Sequence, residues 1–307
     1  VGSEMCIRDR YMYQELINIL GKENVFTDED MSKHTTFKAG GKAKYFVTPD
    51  SFERLSELIR FLKDKIDYYI IGNGSNLLVK DEGYNGVIVK IGQKLSNITL
   101  DDKVMSCEAG AYVSKIANYA CENSLSGLEF AAGIPGMLGG AVAMNAGAYG
   151  GEFKDIIMSV TLMDKYGNIV EKSNEEMKFG YRNSVVQEED YIVLSAKLKL
   201  EAGNKDEISD RMNELLKQRR DKQPLEYPSA GSTFKRPEGY FAGKLIMDAG
   251  LKGYSVGGAC VSEKHCGFVV NKGNATAADI IRLMKDVADK VEAEFGVRLE
   301  PEVKIIG

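Results

Sequence analysis

The sequence predicts an α+β protein in which strands outnumber helices through the middle third of the chain. Apolar runs with the periodicity of strands occur at 104–108, 157–163 and 191–200. This order of elements favours an α+β sheet over a doubly wound one. With 307 residues, of which 44% are hydrophobic, the chain can bury a large core, so two or three domains are expected.

The first half of the chain alternates between short strands and amphipathic helices. One helix is predicted at 11–20 and ends at Gly21, and the next begins at Asp50 and Glu53, which have capping-box spacing. A third helix is predicted at about 112–123 from its apolar face. Further strands are predicted at 44–48, 68–71 and 87–91.

The last third is predicted to begin after a polar linker. EAGNKDE at 201–207 has the composition of a linker, and a basic helix at 208–220 follows it and ends before Pro224. The linker therefore marks a candidate domain boundary. The remaining predicted elements are a strand at 267–271, a helix between Thr276 and Gly296, and a closing strand at 298–307.

Charge and cysteine content exclude several classes of protein. The formal net charge is −5 and the pI is about 5.4, which leaves no positive field to attract DNA, RNA or an acidic membrane. Five cysteines without CxxC spacing and two histidines do not form a common zinc ligand set. Reduced thiols, a cytoplasmic location and no bound metal are therefore expected.

Two stretches resemble membrane or targeting segments only superficially. Residues 130–151 carry no charge, but their seven glycines, Pro135 and Asn145 do not suit a membrane-spanning helix. The first ten residues, VGSEMCIRDR, have neither apolar periodicity nor the apolar centre of a signal peptide. We therefore interpret residues 1–10 as a non-native scar and leave them out of the predicted fold.

Segment 72–77, GNGSNL, comes directly after a predicted strand, where main-chain amides can converge on a phosphate. It is not a Rossmann motif, because Leu77 stands in place of the third glycine and no helical pattern follows. A hairpin turn that uses Asn and Gly for positive φ is the alternative interpretation.

Segment 131–151, AAGIPGMLGGAVAMNAGAYGG, combines seven glycines with six alanines and has no charge. Such a segment lets a backbone approach a flat ligand closely and point N–H groups at it. Close helix packing, which also uses small residues, is the alternative. Together, segments 72–77 and 131–151 favour a bound dinucleotide that is held mainly by main-chain groups.

Four residues elsewhere could carry chemistry, and each has a structural alternative. Arg182 could be a fixed cation or a surface arginine, and Ser232 lies in a glycine-flanked turn where hydroxyls usually only form the turn. Glu302 could be an inward-facing acid or an edge charge of a terminal strand. His265 could act as an acid or base, although its place ahead of a strand favours a structural role.

Basic residues cluster at the end of the predicted helix 208–220. Arg219, Arg220 and Lys222 would complement the helix dipole there. As a group they could equally bind a diphosphate. The sequence leaves both interpretations open.

Taken together, the motifs resemble those of the UDP-N-acetylenolpyruvoylglucosamine reductases, flavoenzymes that make UDP-N-acetylmuramate for the bacterial cell wall. The resemblance keeps the family's order and spans nearly everything from residue 33 onward. The matching stretches are TTFKAGGKA (35–43), GNGSNLLV (72–79), GLEFAAGIPGMLGGAVAMNAGAYGGE (127–152), FGYRNS (179–184), AGSTFKRP (230–237), FAGKLIMDAGLKG (241–253) and LEPEVKIIG (299–307).

The resemblance implies an α+β FAD-binding fold of the vanillyl-alcohol-oxidase/PCMH type, with two subdomains, and a smaller C-terminal α+β substrate-binding domain. The short path from FGYRNS to AGSTFKRP resembles the shorter subgroup, which lacks an additional tyrosine-bearing loop. Met137 departs from the small hydroxyl residue that is more common at that position. The implied bounds are 11–95 for the first FAD-binding subdomain, 96–204 with the closing strand 298–307 for the second, and 205–297 for the substrate-binding domain.

The resemblance also implies a reaction. In it, NADPH reduces UDP-N-acetylglucosamine enolpyruvate to UDP-N-acetylmuramate through non-covalently bound FAD, a cytoplasmic step of peptidoglycan precursor synthesis. By position in the family motifs, Arg182 and Glu302 polarise the substrate carboxylate and Ser232 protonates the carbanion. Weaker candidates for binding the substrate diphosphate are Arg219, Lys222, Lys235 and Arg236.

The residues expected to bind FAD come from the two glycine-containing segments. They are Gly72, Asn73, Gly74, Ser75, Asn76, Leu77, Gly133, Ile134, Pro135, Gly136, Gly139, Gly140, Asn145, Gly147, Ala148 and Tyr149.

Two other functions stay open at this stage. One is a flavin oxidase on the same scaffold, in which a His or Cys often tethers the cofactor covalently. The other is a non-catalytic nucleotide-sugar binder. For the reductase we expect a monomer whose partners are its small-molecule substrate and NADPH rather than nucleic acids or membranes.

Overall fold

The computed structural model describes residues 7–307. Residues 1–6, which belong to the predicted scar, lie outside the described residues. Ile7–Arg10 form the start of the first helix, and the carbonyl oxygen of Asp9 accepts the hydroxyl of Tyr45 at 3.1 Å. Leaving these four residues out of the fold was therefore wrong, because they belong to α1 and one of them, Asp9, bonds to a buried tyrosine.

The described residues form short and long helices and many short strands. The α-helices are α1 Ile7–Leu20, α2 Phe52–Leu62, α3 Val113–Glu122, α4 Leu138–Ala143, α5 Val185–Glu188, α6 Lys205–Lys222, α7 Ala242–Asp248 and α8 Ala277–Phe295. The strands are β1 Val25–Asp30, β2 Lys42–Val47, β3 Tyr68–Ile71, β4 Leu77–Val79, β5 Tyr84–Lys90, β6 Ile98–Asp101, β7 Val104–Glu108, β8 Leu125–Ser126, β9 Gly147–Ala148, β10 Gly151–Glu152, β11 Ile157–Met163, β12 Ile169–Ser173, β13 Ile192–Lys199, β14 Glu201–Ala202, β15 Ser255–Val256, β16 Ala259–Val261, β17 Val269–Asn271 and β18 Lys304–Ile306.

The chain folds into two compact units that interleave along the sequence. The first unit comprises the described residues up to Thr27, Tyr45–Gly72 and Gly86–Lys217, and the second comprises Asp28–Lys44, Asn73–Asn85 and Gln218–Gly307. Apart from the closing strand 298–307, which was grouped with 96–204, the predicted domains are continuous stretches of chain. The two compact units instead interleave along the sequence. Strands β1, β2 and β5 each continue from one unit into the other.

The first unit is built on an antiparallel sheet of order β12-β11-β13-β7-β6, and helix α4 lies against β13 and β7. Fully buried side chains such as Leu58, Ile116 and Leu162 form its core. A second sheet has the order β1-β2-β5-β3, with β3 and β5 parallel. This mixture of separate helices and sheets confirms the predicted α+β class.

Helix α2 begins one residue later than its predicted capping box. The hydroxyl of Ser51 accepts the N–H of Arg54 at 3.2 Å, so Ser51 is the N-cap and the Asp50–Glu53 box is wrong. The Asp50 carboxylate instead pairs with the Arg54 guanidinium at 2.9 Å.

The second unit centres on an antiparallel sheet of order β15-β16-β17, against which helix α8 packs. Thr276 and Asp279 form a capping box at the start of α8, and Gly296 ends the helix with φ 68°. The predicted helix between Thr276 and Gly296 is confirmed. The carboxylate of Asp81 accepts the N–H groups of Ala277 and Ala278, both at 2.8 Å, and adds a second cap.

Two predicted elements of the last third differ in the structure. The linker at 201–207 contains β14, which pairs with β8, and helix α6 begins within it at Lys205. The closing strand predicted at 298–307 and assigned to 96–204 is only Lys304–Ile306, and it pairs in parallel with β4. Polar composition does not show where short strands find partners, since strand pairing depends on distant parts of the chain.

Among residues 7–307, none of the helices combines the length and the apolar composition that crossing a membrane requires.

Candidate functional site

The small-residue segment of the first unit forms a short helix flanked by turns. Residues 138–143 form α4, and β9 pairs with β10 to make a tight hairpin. Tyr149 and Gly150 in that hairpin have φ of 52° and 87°, and both are exposed. An added Cβ at Gly147 would stand 2.7 Å from the carbonyl oxygen of Gly151, so the hairpin needs glycine there.

Asn145 holds this segment from inside the protein. It is fully buried, and its side-chain nitrogen donates to Glu152 Oε2 at 2.8 Å and to the carbonyl oxygen of Gly180 at 3.1 Å. Its side-chain oxygen accepts the N–H of Lys154 at 2.9 Å. The Asn145 amide group is used in these three bonds. Its predicted contact with the cofactor stays a prediction.

Arg182 lies in the turn that Asn145 ties to the small-residue segment. Its φ is 53°, its Nη2 donates to the carbonyl oxygen of Gly147 at 3.3 Å, and its guanidinium lies 5.2 Å from the centre of the Tyr181 ring. Gln187 donates to the Arg182 carbonyl oxygen at 3.1 Å. The structure therefore brings this cation next to the glycine hairpin, which makes a loose surface arginine the weaker interpretation.

Gly72 and Met137 meet in the same unit. An added Cβ at Gly72 would stand 3.3 Å from the Cβ of Met137, whose side chain is buried. The methionine that departs from the family pattern thus packs tightly over the end of β3.

In the second unit, loop 73–77 folds back on the chain at 34–36. Gly74 has φ 61°, and an added Cβ would lie far inside van der Waals contact with the carbonyl oxygen of His34. The N–H of Thr36 donates to the Gly74 carbonyl oxygen at 3.1 Å. Gly74 is therefore required by both its conformation and its neighbour.

The second unit also brings the Ser232 turn beside Glu302. The N–H of Glu302 donates to the carbonyl oxygen of Thr233 at 2.8 Å. Thr233 is anchored in turn, because its N–H donates to Gly267 and its hydroxyl accepts the N–H of Val269, both at 2.9 Å. Ser232 is exposed and Glu302 is half-buried. Two of the three predicted catalytic residues thus lie on adjacent, hydrogen-bonded stretches of chain, which we call the Ser232–Glu302 frame.

Comparison with known proteins decides what this arrangement belongs to. An FAD binding domain model matches residues 43–173, and a model of the C-terminal domain of UDP-N-acetylenolpyruvoylglucosamine reductase matches residues 223–306. A UDP-N-acetylenolpyruvoylglucosamine reductase of Clostridioides difficile (strain 630) is 52% identical over 297 residues, which cover 96% of this chain and 98% of that protein. The chain belongs to the UDP-N-acetylenolpyruvoylglucosamine reductase family.

Other members support the same assignment. A UDP-N-acetylenolpyruvoylglucosamine reductase of Agathobacter rectalis is 55% identical over 293 residues, which cover 91% of this chain and 93% of that protein. The crystal structure of the Thermus caldophilus enzyme of this family superposes with a TM-score of 0.79 at 36% identity, covering 92% of this chain and 98% of that one. The predicted family and its two-part fold are confirmed, and the chain is an FAD-dependent oxidoreductase.

The residues of this reductase fit FAD. An added Cβ at Gly140 would meet nothing within 4 Å, so the main chain of α4 is open on that side. Beside loop 73–77, the hydroxyl oxygen of Thr36 is buried and has no hydrogen-bond partner among the described residues. A bound cofactor with phosphate and hydroxyl oxygens would satisfy such a group. The sequence missed Thr36, and its position in TTFKAGGKA was the available signal.

The basic substrate-binding candidates of the reductase differ in their surroundings. Lys235 forms an exposed ion pair with Glu300 at 3.1 Å, whereas the Arg236 guanidinium lies 4.0 Å from the centre of the Phe241 ring. Arg219 and Lys222 lie in the last turn of α6. An exposed pair of this kind costs little to break, so Lys235 can exchange Glu300 for a ligand.

His265 sits next to the serine turn of the reductase. Its Nδ1 accepts the N–H of Gly267 at 3.1 Å, and its ring packs edge-on against Phe268 at 4.9 Å. Burial lowers the pKa of His265 from its usual value of 6.5. The neutral ring with Nε2 protonated is therefore the favoured form, and these contacts are those of a structural residue.

Among residues 7–307, no three His, Cys, Asp or Glu side chains are grouped so that they could hold a metal ion.

Proposed function

We propose that this chain reduces UDP-N-acetylglucosamine enolpyruvate to UDP-N-acetylmuramate with NADPH as the hydride donor, in the cytoplasm and as a monomer. Similarity to reductases of this name over almost the whole chain supports the reaction. The observation that supports the active site is the bond between the Glu302 N–H and the Thr233 carbonyl oxygen, which sets Ser232 and Glu302 on adjacent stretches of chain.

The chemistry makes two demands on the protein. When bound, FAD supplies the hydride that adds to the terminal vinyl carbon of the substrate, after receiving it from NADPH. The substrate then carries negative charge on the carbon beside its carboxylate, and this charge spreads into the carboxylate. The protein must stabilise that charge with fixed donors, each worth on the order of 3 kcal/mol of barrier, and must deliver one proton to the carbon.

Ser232 is the proposed proton donor. Its side chain is exposed in a turn whose next residue, Thr233, is fixed by three hydrogen bonds, so the hydroxyl can reach a ligand without moving the main chain. Serine is a weak acid in water, but a carbanion is a base strong enough to take its proton. After product release, solvent returns a proton to the Ser232 oxygen.

Arg182 and Glu302 are the proposed polarising pair. The guanidinium of Arg182 is held at the glycine hairpin by its bond to the Gly147 carbonyl oxygen. A carboxylic acid that is kept neutral, or tied to an arginine, can lie near a substrate carboxylate without repulsion. In this role Glu302 donates a hydrogen bond to the developing charge and Arg182 neutralises it.

The proposed domains divide the task between cofactor and substrate. Residues 11–95 and 96–204 bind FAD, while 205–297 bind the nucleotide sugar. The substrate diphosphate is assigned to the basic residues Arg219, Lys222, Lys235 and Arg236, since guanidinium and ammonium groups are the usual partners of phosphate oxygens.

Replacement of the proton donor tests this assignment. In Ser232→Ala, NADPH should still bleach the flavin at the normal rate, whereas reoxidation by the enolpyruvyl substrate should slow by about 10²–10⁴-fold, the usual contribution of a general acid. Stopped-flow absorbance separates the two half-reactions. Ser255→Ala is the matched control, because Ser255 is exposed like Ser232 and its hydroxyl donates to a nearby main-chain carbonyl oxygen, that of Gly253 at 3.1 Å. Normal rates for both half-reactions in Ser232→Ala would show that the role assigned to Ser232 is wrong.

A further inference from the structure

We infer that Asn76 is a positioning residue that holds the main chain of Glu302, a role that rests on the function proposed above. The side-chain nitrogen of Asn76 donates to the carbonyl oxygen of Glu302 at 3.1 Å. The main-chain carbonyl oxygen of Asn76 accepts the N–H of Lys304 at 3.0 Å. Asn76 thus bonds to the chain on both sides of Val303, although it lies 226 positions before Glu302 in the sequence.

The place of Asn76 at the end of a strand explains why a side chain is needed. The parallel ladder of β4 and β18 begins at the pair Leu77 and Lys304. Glu302 lies just before this ladder, where β4 offers no further strand residue as a partner. The carboxamide of Asn76 donates in place of a main-chain N–H, so the hydrogen bonding between the two segments extends to Glu302.

Glu302 is fixed from two directions by these contacts. Its N–H bonds to Thr233, next to the proposed proton donor, and its carbonyl oxygen bonds to Asn76 in the loop that the sequence assigns to FAD. Both main-chain polar groups of Glu302 are therefore used. Removing the Asn76 side chain would take away one of these two main-chain contacts of Glu302 and leave the contact with the Ser232 turn.

This role differs in its consequences from direct cofactor binding, which the sequence predicts for Asn76. Loss of a cofactor contact weakens FAD binding and affects both half-reactions. Loss of a positioning contact for Glu302 affects only the half-reaction in which the substrate carboxylate must be polarised. A displacement of about 1 Å at a reacting group can cost on the order of 10²-fold in rate.

The Asn76→Ala enzyme tests the inference. We expect reoxidation of reduced enzyme by the enolpyruvyl substrate to slow by about 10–100-fold, while reduction by NADPH and the Kd for FAD change less than about threefold. Asn123→Ala is the matched control, because Asn123 likewise donates to a main-chain carbonyl oxygen, that of Tyr119 at 2.8 Å, on an exposed helix end. It should leave both half-reactions unchanged. If Asn76→Ala does not fold, Asn76→Asp keeps the size of the side chain and removes the amide donor.

A double-mutant cycle decides whether Asn76 acts through Glu302. In a Glu302→Gln background, Asn76→Ala should slow reoxidation by less than about threefold further, because the group it positions is already gone. Equal slowing in both backgrounds, equal slowing of both half-reactions, or a large rise in the Kd for FAD would each overturn the inference. If Glu302→Gln is slow but Asn76→Ala reoxidises normally, only the inference fails. If Glu302→Gln itself reoxidises normally, the proposed role of Glu302 fails and the inference fails with it.

Discussion

The small-residue segment of the first unit and the Ser232–Glu302 frame of the second unit are stabilised in opposite ways. Side-chain amides and hydroxyls stabilise the small-residue segment. The Asn145 amide bonds to the N–H of Lys154 and to the carbonyl oxygen of Gly180, and the Ser184 hydroxyl donates to the carbonyl oxygen of Ala143 at 2.7 Å. Main-chain bonds hold most of the second, which runs from Gly267 through Thr233 to Glu302. The bonds of the first arrangement join residues up to 41 positions apart, whereas the bond between Glu302 and Thr233 in the second joins residues that are 302 − 233 = 69 positions apart.

Because of this difference, the two regions should tolerate different amino-acid substitutions. A region held by one buried amide fails when that side chain is lost, because several main-chain groups lose their partner at once. A region held by main-chain pairing is insensitive to most side chains, except where glycine is required or where a side chain completes the ladder. The expected effects of substitutions follow this contrast.

Loss of the Asn145 amide should have the largest effect on stability. In Asn145→Ala the N–H of Lys154 loses its partner, and the carbonyl oxygen of Gly180 keeps only the longer bond of 3.4 Å from the N–H of Asn183. Alanine must also adopt the φ of 42° that asparagine tolerates better. We expect a loss of about 4 kcal/mol in the free energy of unfolding, measured in urea. Asn123→Ala should lose less than about 1 kcal/mol. A similar small loss in Asn145→Ala would show that the segment is held by other contacts.

Gly74 should be the sensitive position of the second unit. Gly74→Ala forces an L side chain into φ 61° and drives its Cβ into the carbonyl oxygen of His34. We expect a loss of about 3 kcal/mol, from the strained backbone and the displaced main chain. Thermal unfolding of the FAD-free protein measures it without any contribution from the cofactor. An unchanged Tm would mean that loop 73–77 can relax away from residues 34–36.

Gly140 should behave in the reverse way. It lies within α4, and an added Cβ meets no protein atom within 4 Å, so Gly140→Ala should stabilise the FAD-free protein by about 0.5–1 kcal/mol through helix propensity. The same methyl group should hinder a flavin nucleotide bound over this helix and raise the Kd for FAD about tenfold. Equilibrium titration with FAD tests this, and an unchanged Kd would place the cofactor away from Gly140.

Substitution of His265 should have the smallest effect, which should appear as a change in how stability falls when the pH becomes acidic. Its pKa is lowered by burial, so the unfolded chain takes up a proton more readily than the folded one. The stability that its neutral form provides is complete above pH 6.5 and is lost as the pH falls through the lower folded-state pKa. Wild type should therefore lose more stability between pH 7.5 and 5.5 than His265→Gln, whose side chain can still accept the Gly267 N–H. Parallel losses in urea would show that His265 does not contribute.

The ends of α3 and α8 were the helix boundaries that the sequence predicted best. The Thr276 cap and the Gly296 end of α8 rest on side-chain and φ preferences within a few residues, and the helix at 112–123 follows from its apolar spacing. The Asp50–Glu53 box failed because Ser51 between them is an equally good cap. Competing local signals of similar strength can be resolved only in the folded chain.

By itself, the sequence determined the α+β class, the two glycine-containing segments and the identity of the residues proposed for catalysis, since these depend on local chemistry and on motifs. Only the tertiary structure decided that the tail pairs with β4, that Asn76 grips Glu302, and that Thr233 lies against it. Such contacts join positions far apart in the chain, and main-chain hydrogen bonding is nearly the same for every residue type. Local composition therefore carries little information about which distant strand a segment will join.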